Sequence, residues 1–155
     1  MDMPRPTPAH AKLTKLVGEW IGDEHLSPSP WDPKGGQAVG RVHNRLSLDG
    51  LAIVQDYEQE RSGMVNFRGH GVFLWDGAEQ QYHLHWFDSM DQPPGIFRGT
   101  FDNNILRLVS VNAQGHARAT FDFTKDGSYD YRMEVSPDGR VWYPFMEGTY
   151  KRKKT

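Results

Sequence analysis

His83 and His85 are the residues in this sequence whose types and spacing most suggest a metal site. Residues i and i+2 of a strand point to the same face, so their two imidazoles could share one metal ion. His70, Asp88 or His43 could supply a third ligand. One hypothesis is therefore a small metal-dependent or acid–base enzyme that uses His83, His85 and Asp88. The alternative is that these are ordinary solvent-facing strand histidines.

Other chemistry-bearing patterns have simpler structural explanations. Ser89 stands between Asp88 and Met90, but no Gly-x-Ser-x-Gly elbow surrounds it, so turn chemistry explains this segment better than a nucleophile does. Glu58 and Glu60 fall on one face of a strand and are typical of a solvated strand end. We therefore expect a protein that is not an enzyme.

Composition excludes several further classes of function. The chain has no cysteine, which excludes disulfides, Cys-ligated metals and a cysteine nucleophile. Its 18 basic and 20 acidic residues give a net charge of −2, so no overall field attracts nucleic acid. The sequence has no signal-like apolar segment and no run of 18 apolar residues, which predicts a cytoplasmic protein without a membrane partner.

Turn dipeptides recur about every dozen residues along the chain. Asp-Gly and related pairs tolerate the positive φ of tight hairpin turns, so each marks a reversal between two strands. The pairs are Asp49-Gly50, Ser62-Gly63, Asp76-Gly77, Asn103-Asn104, Gln114-Gly115, Asp126-Gly127 and Asp138-Gly139.

Between these turns lie segments that alternate apolar and polar residues, the pattern of a strand with one buried face. The runs 117–123 and 129–135 are the clearest examples. The spacing predicts an all-β fold, an up-and-down antiparallel barrel of about ten strands in one domain over 1–155, with frayed ends at 1–7 and 151–155. A two-sheet sandwich would need longer connections.

A single short helix is predicted before the first strand. Thr7 can cap it, Pro8 suits its first position and Gly18 can stop it. Its apolar stripe should dock across one end of the barrel, because so short a helix is unstable alone. The stripe consists of Ala9, Leu13, Leu16 and Val17.

The loop 27–36 between the first two strands holds three prolines and two glycines, which exclude regular structure. Trp31 lies in this loop. It either anchors the loop by packing or borders a ligand portal.

Four features of the sequence resemble one family over nearly the whole chain. They are the opening Leu-x-Gly-x-Trp-x-Gly at 16–22, the segment 88–90, Pro137-Asp138-Gly139 and a last strand ending in 150–152. It is the bacterial family called domain of unknown function 1579. More broadly the chain is similar to the calycins, which include lipocalins, fatty-acid-binding proteins and nitrobindins. The resemblance implies a calycin barrel.

The resemblance also implies structural roles for four residues. In calycins the first-strand tryptophan closes one barrel end under an arginine from the last strand, which here implies Trp20 and Arg152. Gly18 and Gly22 would let the strand bend and the helix approach. Nitrobindins bind haem through a late histidine; His116 is the last histidine here, and it precedes the final two strands.

We predict a binding protein whose partner is a small, largely apolar molecule held in the barrel. We expect no cofactor, with haem or a divalent metal as the alternatives. A further alternative is a filled barrel that acts through its surface, for example as a homodimer. The predicted ligand-binding residues are Trp31, Tyr57, Trp75, His83, His85, Trp86, Phe97, Tyr131 and Trp142.

Overall fold

Ten antiparallel strands follow one short helix in the computed structural model, which describes residues 2–30 and 32–153. No helix in these two ranges is long and apolar enough to cross a membrane. The strands are β1 (Gly18–Leu26), β2 (Gly36–Ser47), β3 (Ala52–Arg61), β4 (Met64–Asp76), β5 (Gln81–Asp88), β6 (Gly95–Asp102), β7 (Ile105–Asn112), β8 (Gly115–Asp122), β9 (Ser128–Ser136) and β10 (Tyr143–Arg152).

Each strand pairs with its neighbours in sequence, and β1 pairs with both β2 and β10, so the sheet closes into a barrel. Closure gives each of the ten strands a hydrogen-bonded neighbour on both sides. The predicted turn dipeptides lie at the strand connections, and Ser62 and Asn103 adopt the positive φ that these turns require. The prediction of a ten-stranded up-and-down barrel is confirmed, and the sandwich alternative is wrong.

The N-terminal segment closes one end of the barrel. The predicted short helix is present as α1 (Pro8–Lys12), which has five residues and tightens into a 3-10 turn (Leu13–Leu16). Leu13 and Leu16 are fully buried in the barrel core. The Tyr82 hydroxyl donates to the Ala9 carbonyl at 2.7 Å, and the Asn44 amide donates to the Leu16 carbonyl at 2.9 Å. These bonds fix the segment across the barrel end.

Alternation along the strands decides which side chains enter the barrel. On β5 the aromatic Tyr82 and the aliphatic Leu84 are buried in the core, which places His83 and His85 on the outer face. The inner face of β1 continues from Trp20 through Gly22 and Glu24 to Leu26. The sequence did not determine which face of most strands points into the barrel, and the structure shows it for β1 and β5.

Trp20 is held at the closed end by two contacts. Its indole Nε1 donates to the Leu16 carbonyl at 2.9 Å. The Arg152 guanidinium lies 4.3 Å from the Trp20 ring centroid and donates to the Val17 carbonyl at 2.8 Å.

The expectation of a frayed end from 151 onwards does not hold for Lys151 and Arg152, because both pair with β1.

We predict that Arg152→Ala lowers the free energy of unfolding by about 1–2 kcal/mol, since it removes a cation–π contact and a charged hydrogen bond. Urea unfolding followed by circular dichroism measures this change. Lys151→Ala, one residue earlier on the outer face, is the control and should change stability by less than about 0.5 kcal/mol. Equal effects of the two substitutions would contradict the role of Arg152.

Candidate functional site

A cavity of about 440 Å³ occupies the half of the barrel away from the helix. The β1–β2 loop and Met90, just beyond β5, border its outer end. Its wall is mainly apolar and aromatic, and the side chains that form it include Leu26, Val42, Phe67, Leu84, Trp86, Phe97, Phe121, Tyr131, Met133, Phe145 and Met146.

Behind one wall of this cavity lies a fully buried carboxylate, Glu24. The Tyr57 hydroxyl donates to its Oε2 at 2.6 Å, and the Tyr150 hydroxyl donates to the same oxygen. The Gln59 amide donates to Oε1 at 3.0 Å. Both carboxylate oxygens therefore accept hydrogen bonds, which is the condition for burying such a group without a large loss of stability.

Three strands supply this polar cluster: β1 carries Glu24, β3 carries Tyr57 and Gln59, and β10 carries Tyr150. Gly40 on β2 provides the space, since a Cβ at this position would overlap the Glu24 carboxylate. Without that glycine the carboxylate could not turn inward beside β2. The Glu24 carboxylate thus occupies the space that a side chain at position 40 would fill.

The phenols around this carboxylate are held in the neutral form. Burial raises the pKa of Tyr57, Tyr131 and Tyr150 well above the ordinary value, and the negative charge of Glu24 raises it further. Each phenol therefore keeps its proton at physiological pH. In Tyr57 and Tyr150 that proton is directed to Glu24.

The outer end of the cavity is fixed by an ion pair. Arg61 donates to Asp32 at 2.6 Å and to the Gly35 carbonyl at 2.9 Å, which ties the β1–β2 loop to the end of β3. Across the cavity the Trp86 indole donates to Asp88 at 2.9 Å. A Cβ at Gly69 would overlap the Trp86 ring, so this glycine lets the indole lie flat across β4.

The predicted ligand-binding residues that the structure describes divide into three groups by position: the cavity, the closed end of the barrel and its outer surface. Tyr57, Trp86, Phe97 and Tyr131 line the cavity. Trp75 packs on Tyr82 near the closed end, with ring centroids 4.7 Å apart. Trp31 lies outside the described residues.

The remaining three predicted residues lie on the outer surface. His83 and His85 share the outer face of β5, with ring centroids 6.2 Å apart. Trp142 packs under the Arg118 guanidinium, which lies 4.2 Å from its ring centroid. That guanidinium also binds Glu134 through two hydrogen bonds and lowers the pKa of this carboxyl group.

The trio His83, His85 and Asp88 is not assembled into one site. Asp88 faces the cavity while the two histidines face outward, because the odd and even positions of a strand point to opposite sides. Within 2–30 and 32–153, no three His, Asp or Glu residues are grouped closely enough to hold a metal ion. His116, the haem candidate, packs against Trp142 outside the cavity.

Sequence reasoning missed Glu24 and Gln59, two of the polar residues buried beside the cavity. A signal for the burial of Glu24 was present. It lies four residues after Trp20, so both side chains point to the same side of the strand. Gln59 likewise shares the face of Tyr57, two residues earlier. Acidic and amide side chains on strands are normally expected on the solvent-exposed face, and for this reason neither Glu24 nor Gln59 was predicted to be buried.

Comparison with known proteins places the chain in one family. A family model described as "Protein of unknown function (DUF1579)" matches residues 5–152. No curated protein matches the sequence. Among solved structures, Rv2717c from M. tuberculosis is similar with a TM-score of 0.72 at 12% identity, covering 96% of this chain and 99% of that one.

A second similar structure is the S-type phycobiliprotein lyase CPES from Guillardia theta. Its TM-score is 0.62 at 11% identity, and the match covers 97% of this chain and 99% of that chain. At these identities the likeness establishes the fold, a calycin or lipocalin-like barrel.

We predict that Glu24→Ala lowers the free energy of unfolding by about 3–5 kcal/mol, because it leaves the phenols and amide around it without their acceptor. Urea unfolding measures the loss. The control is Glu19→Ala, which removes the same side chain from the exposed face of the same strand. A loss for Glu24→Ala below about 1 kcal/mol would show that the buried carboxylate does not stabilise the barrel.

Proposed function

This chain belongs to the DUF1579 family of proteins of unknown function, and we propose that it binds a small, largely apolar molecule inside its barrel. One observation carries the proposal: the half of the barrel away from the helix holds a cavity of about 440 Å³ with a mainly apolar wall. Ligand pockets in proteins commonly have volumes of about 300–1,000 Å³.

The two halves of the barrel differ in a way that supports binding at one end. The closed half is filled by Trp20, Phe73 and Leu106, which are buried together in one core. The other half keeps an open volume between side chains of similar type. Well-packed cores leave few voids larger than a water molecule, so a cavity of this size is more typical of a binding site.

The composition of the cavity wall sets the kind of ligand. Each methylene group moved from water into such a wall contributes about 0.8 kcal/mol, so affinity should come mainly from the length of the apolar part. Aromatic rings on opposite walls, Trp86 on β5 and Tyr131 on β9, provide flat surfaces for it. Polar groups then decide orientation and selectivity.

We predict that linear alcohols displace the neutral fluorescent probe N-phenyl-1-naphthylamine from the protein. From hexanol to decanol the dissociation constant should fall by about fourfold for each added methylene, the value that corresponds to 0.8 kcal/mol. Fluorescence titration measures probe binding and its displacement. A protein that binds neither the probe nor any of the alcohols would refute the proposed function.

A pair of variants tests whether binding occurs in the cavity. Ala119 lines it, whereas Thr120, the next residue of β8, lies on the outer face. Ala119→Leu should weaken probe binding by at least about tenfold, because the added side chain fills volume that the ligand needs. Thr120→Leu adds similar bulk outside the barrel and should leave probe affinity unchanged. Equal effects would place the bound probe elsewhere on the protein.

A further inference from the structure

We infer that the cavity selects apolar ligands whose polar end donates a hydrogen bond, an alcohol or an amine, and discriminates against carboxylates such as fatty acids. This inference rests on the proposed function, because it names the ligand class of the same cavity. The buried cluster of Glu24, Tyr57, Gln59 and Tyr150 carries it.

The cluster determines which hydrogen-bonding groups the cavity wall can offer. Tyr57, Gln59 and Tyr150 line the cavity, and Glu24 lies behind them. A phenol has one hydrogen, and both phenol hydrogens are already directed to the Glu24 carboxylate. Each phenol oxygen keeps lone pairs that can accept a hydrogen bond from a ligand. Tyr57 and Tyr150, the two tyrosines of the cluster, therefore act as acceptors toward a ligand.

The Gln59 amide strengthens the same preference. Its nitrogen donates to Glu24 at 3.0 Å and to the Tyr57 hydroxyl at 3.2 Å. Its oxygen accepts from the Asn66 amide at 3.3 Å. The donors nearest the carboxylate are thus used within the cluster, and a ligand that brings only acceptors finds no partner there.

The charges around the cavity oppose an anionic ligand. Two carboxylates, Asp32 and Asp88, line its outer end, and Glu24 lies behind its wall. Among the described residues that line it, Arg61 is the one basic side chain, and it is occupied by Asp32 and the Gly35 carbonyl. A ligand carboxylate would lose its hydration without gaining a free cation, which is unfavourable.

Gln55 is the cavity's remaining buried amide, and it can donate as well as accept. An alcohol fits both kinds of group, since its hydrogen can go to a tyrosine oxygen while its oxygen accepts from an amide. An ether of the same size can only accept. The contrast between an alcohol and an isomeric ether therefore isolates the role of the ligand's hydrogen.

The test compares 1-decanol, its isomer methyl nonyl ether, and decanoate at pH 7.5, each displacing N-phenyl-1-naphthylamine. Decanol should bind about three- to tenfold more tightly than the ether, the contribution of one net hydrogen bond. Decanol should bind at least about tenfold more tightly than decanoate. The ether and the alcohol have the same atoms, so differences in size do not enter.

Two variants test the cluster itself. Tyr57→Phe removes one acceptor and should weaken decanol several-fold while the ether is unaffected. Glu24→Gln replaces the acceptor-only carboxylate by an amide that can donate to a phenol oxygen, which frees a phenol hydrogen for the cavity. This variant should reduce the preference for decanol over decanoate at least about threefold. Glu19→Gln makes the same change on the exposed face of β1 and should leave the preference intact.

The outcomes separate the inference from the proposed function. If decanol, ether and decanoate all displace the probe with equal affinity, the cavity binds apolar ligands and the inference is wrong. If none of the three binds, the proposed function and the inference fail together. Tighter binding of decanoate than of decanol would also overturn the inference. Should Glu24→Gln not fold, Tyr57→Phe and the isomer comparison decide the question alone.

Discussion

The buried carboxylate of Glu24 is the interaction on which the rest of the barrel depends. An isolated charge in a protein interior costs several kcal/mol, and here hydrogen bonds from Tyr57, Gln59 and Tyr150 compensate that cost. Those donors come from β3 and β10, on either side of the β1–β2 pair. The need to satisfy one carboxylate therefore ties together the strands at which the first and last parts of the chain meet.

The interior differs between the filled half of the barrel and the half that holds the cavity. Toward the helix the interior consists of side chains packed around Trp20 and Phe73. These side chains can pack closely because they carry few polar groups. Toward the open end the mainly apolar wall includes tyrosine and glutamine, whose polar atoms are engaged with Glu24. A buried charge needs hydrogen-bond donors around it. Here those donors, on Tyr57, Gln59 and Tyr150, also form the polar part of the cavity wall.

The sequence predicted the architecture because the signals for it are local. Pairs such as Asp76-Gly77 and Asn103-Asn104 specify turns, and alternation between them specifies strands. The inward face of β5 was not predictable, since His83 and His85 alternate with residues that are equally suited to either side. Glu24 escaped prediction because its burial depends on Gly40 and on donors 33 to 126 residues away in the chain.

The central claim is that an apolar molecule enters the barrel, and methionine methyl resonances test it most directly. Met133 and Met146 line the cavity, whereas Met64 is exposed on the outside. In protein labelled with ¹³C at the methionine methyl groups, titration with decanol should shift the Met133 and Met146 signals and leave the Met64 signal in place. Unchanged Met133 and Met146 signals at saturating decanol, or equal shifts at all three residues, would contradict the account.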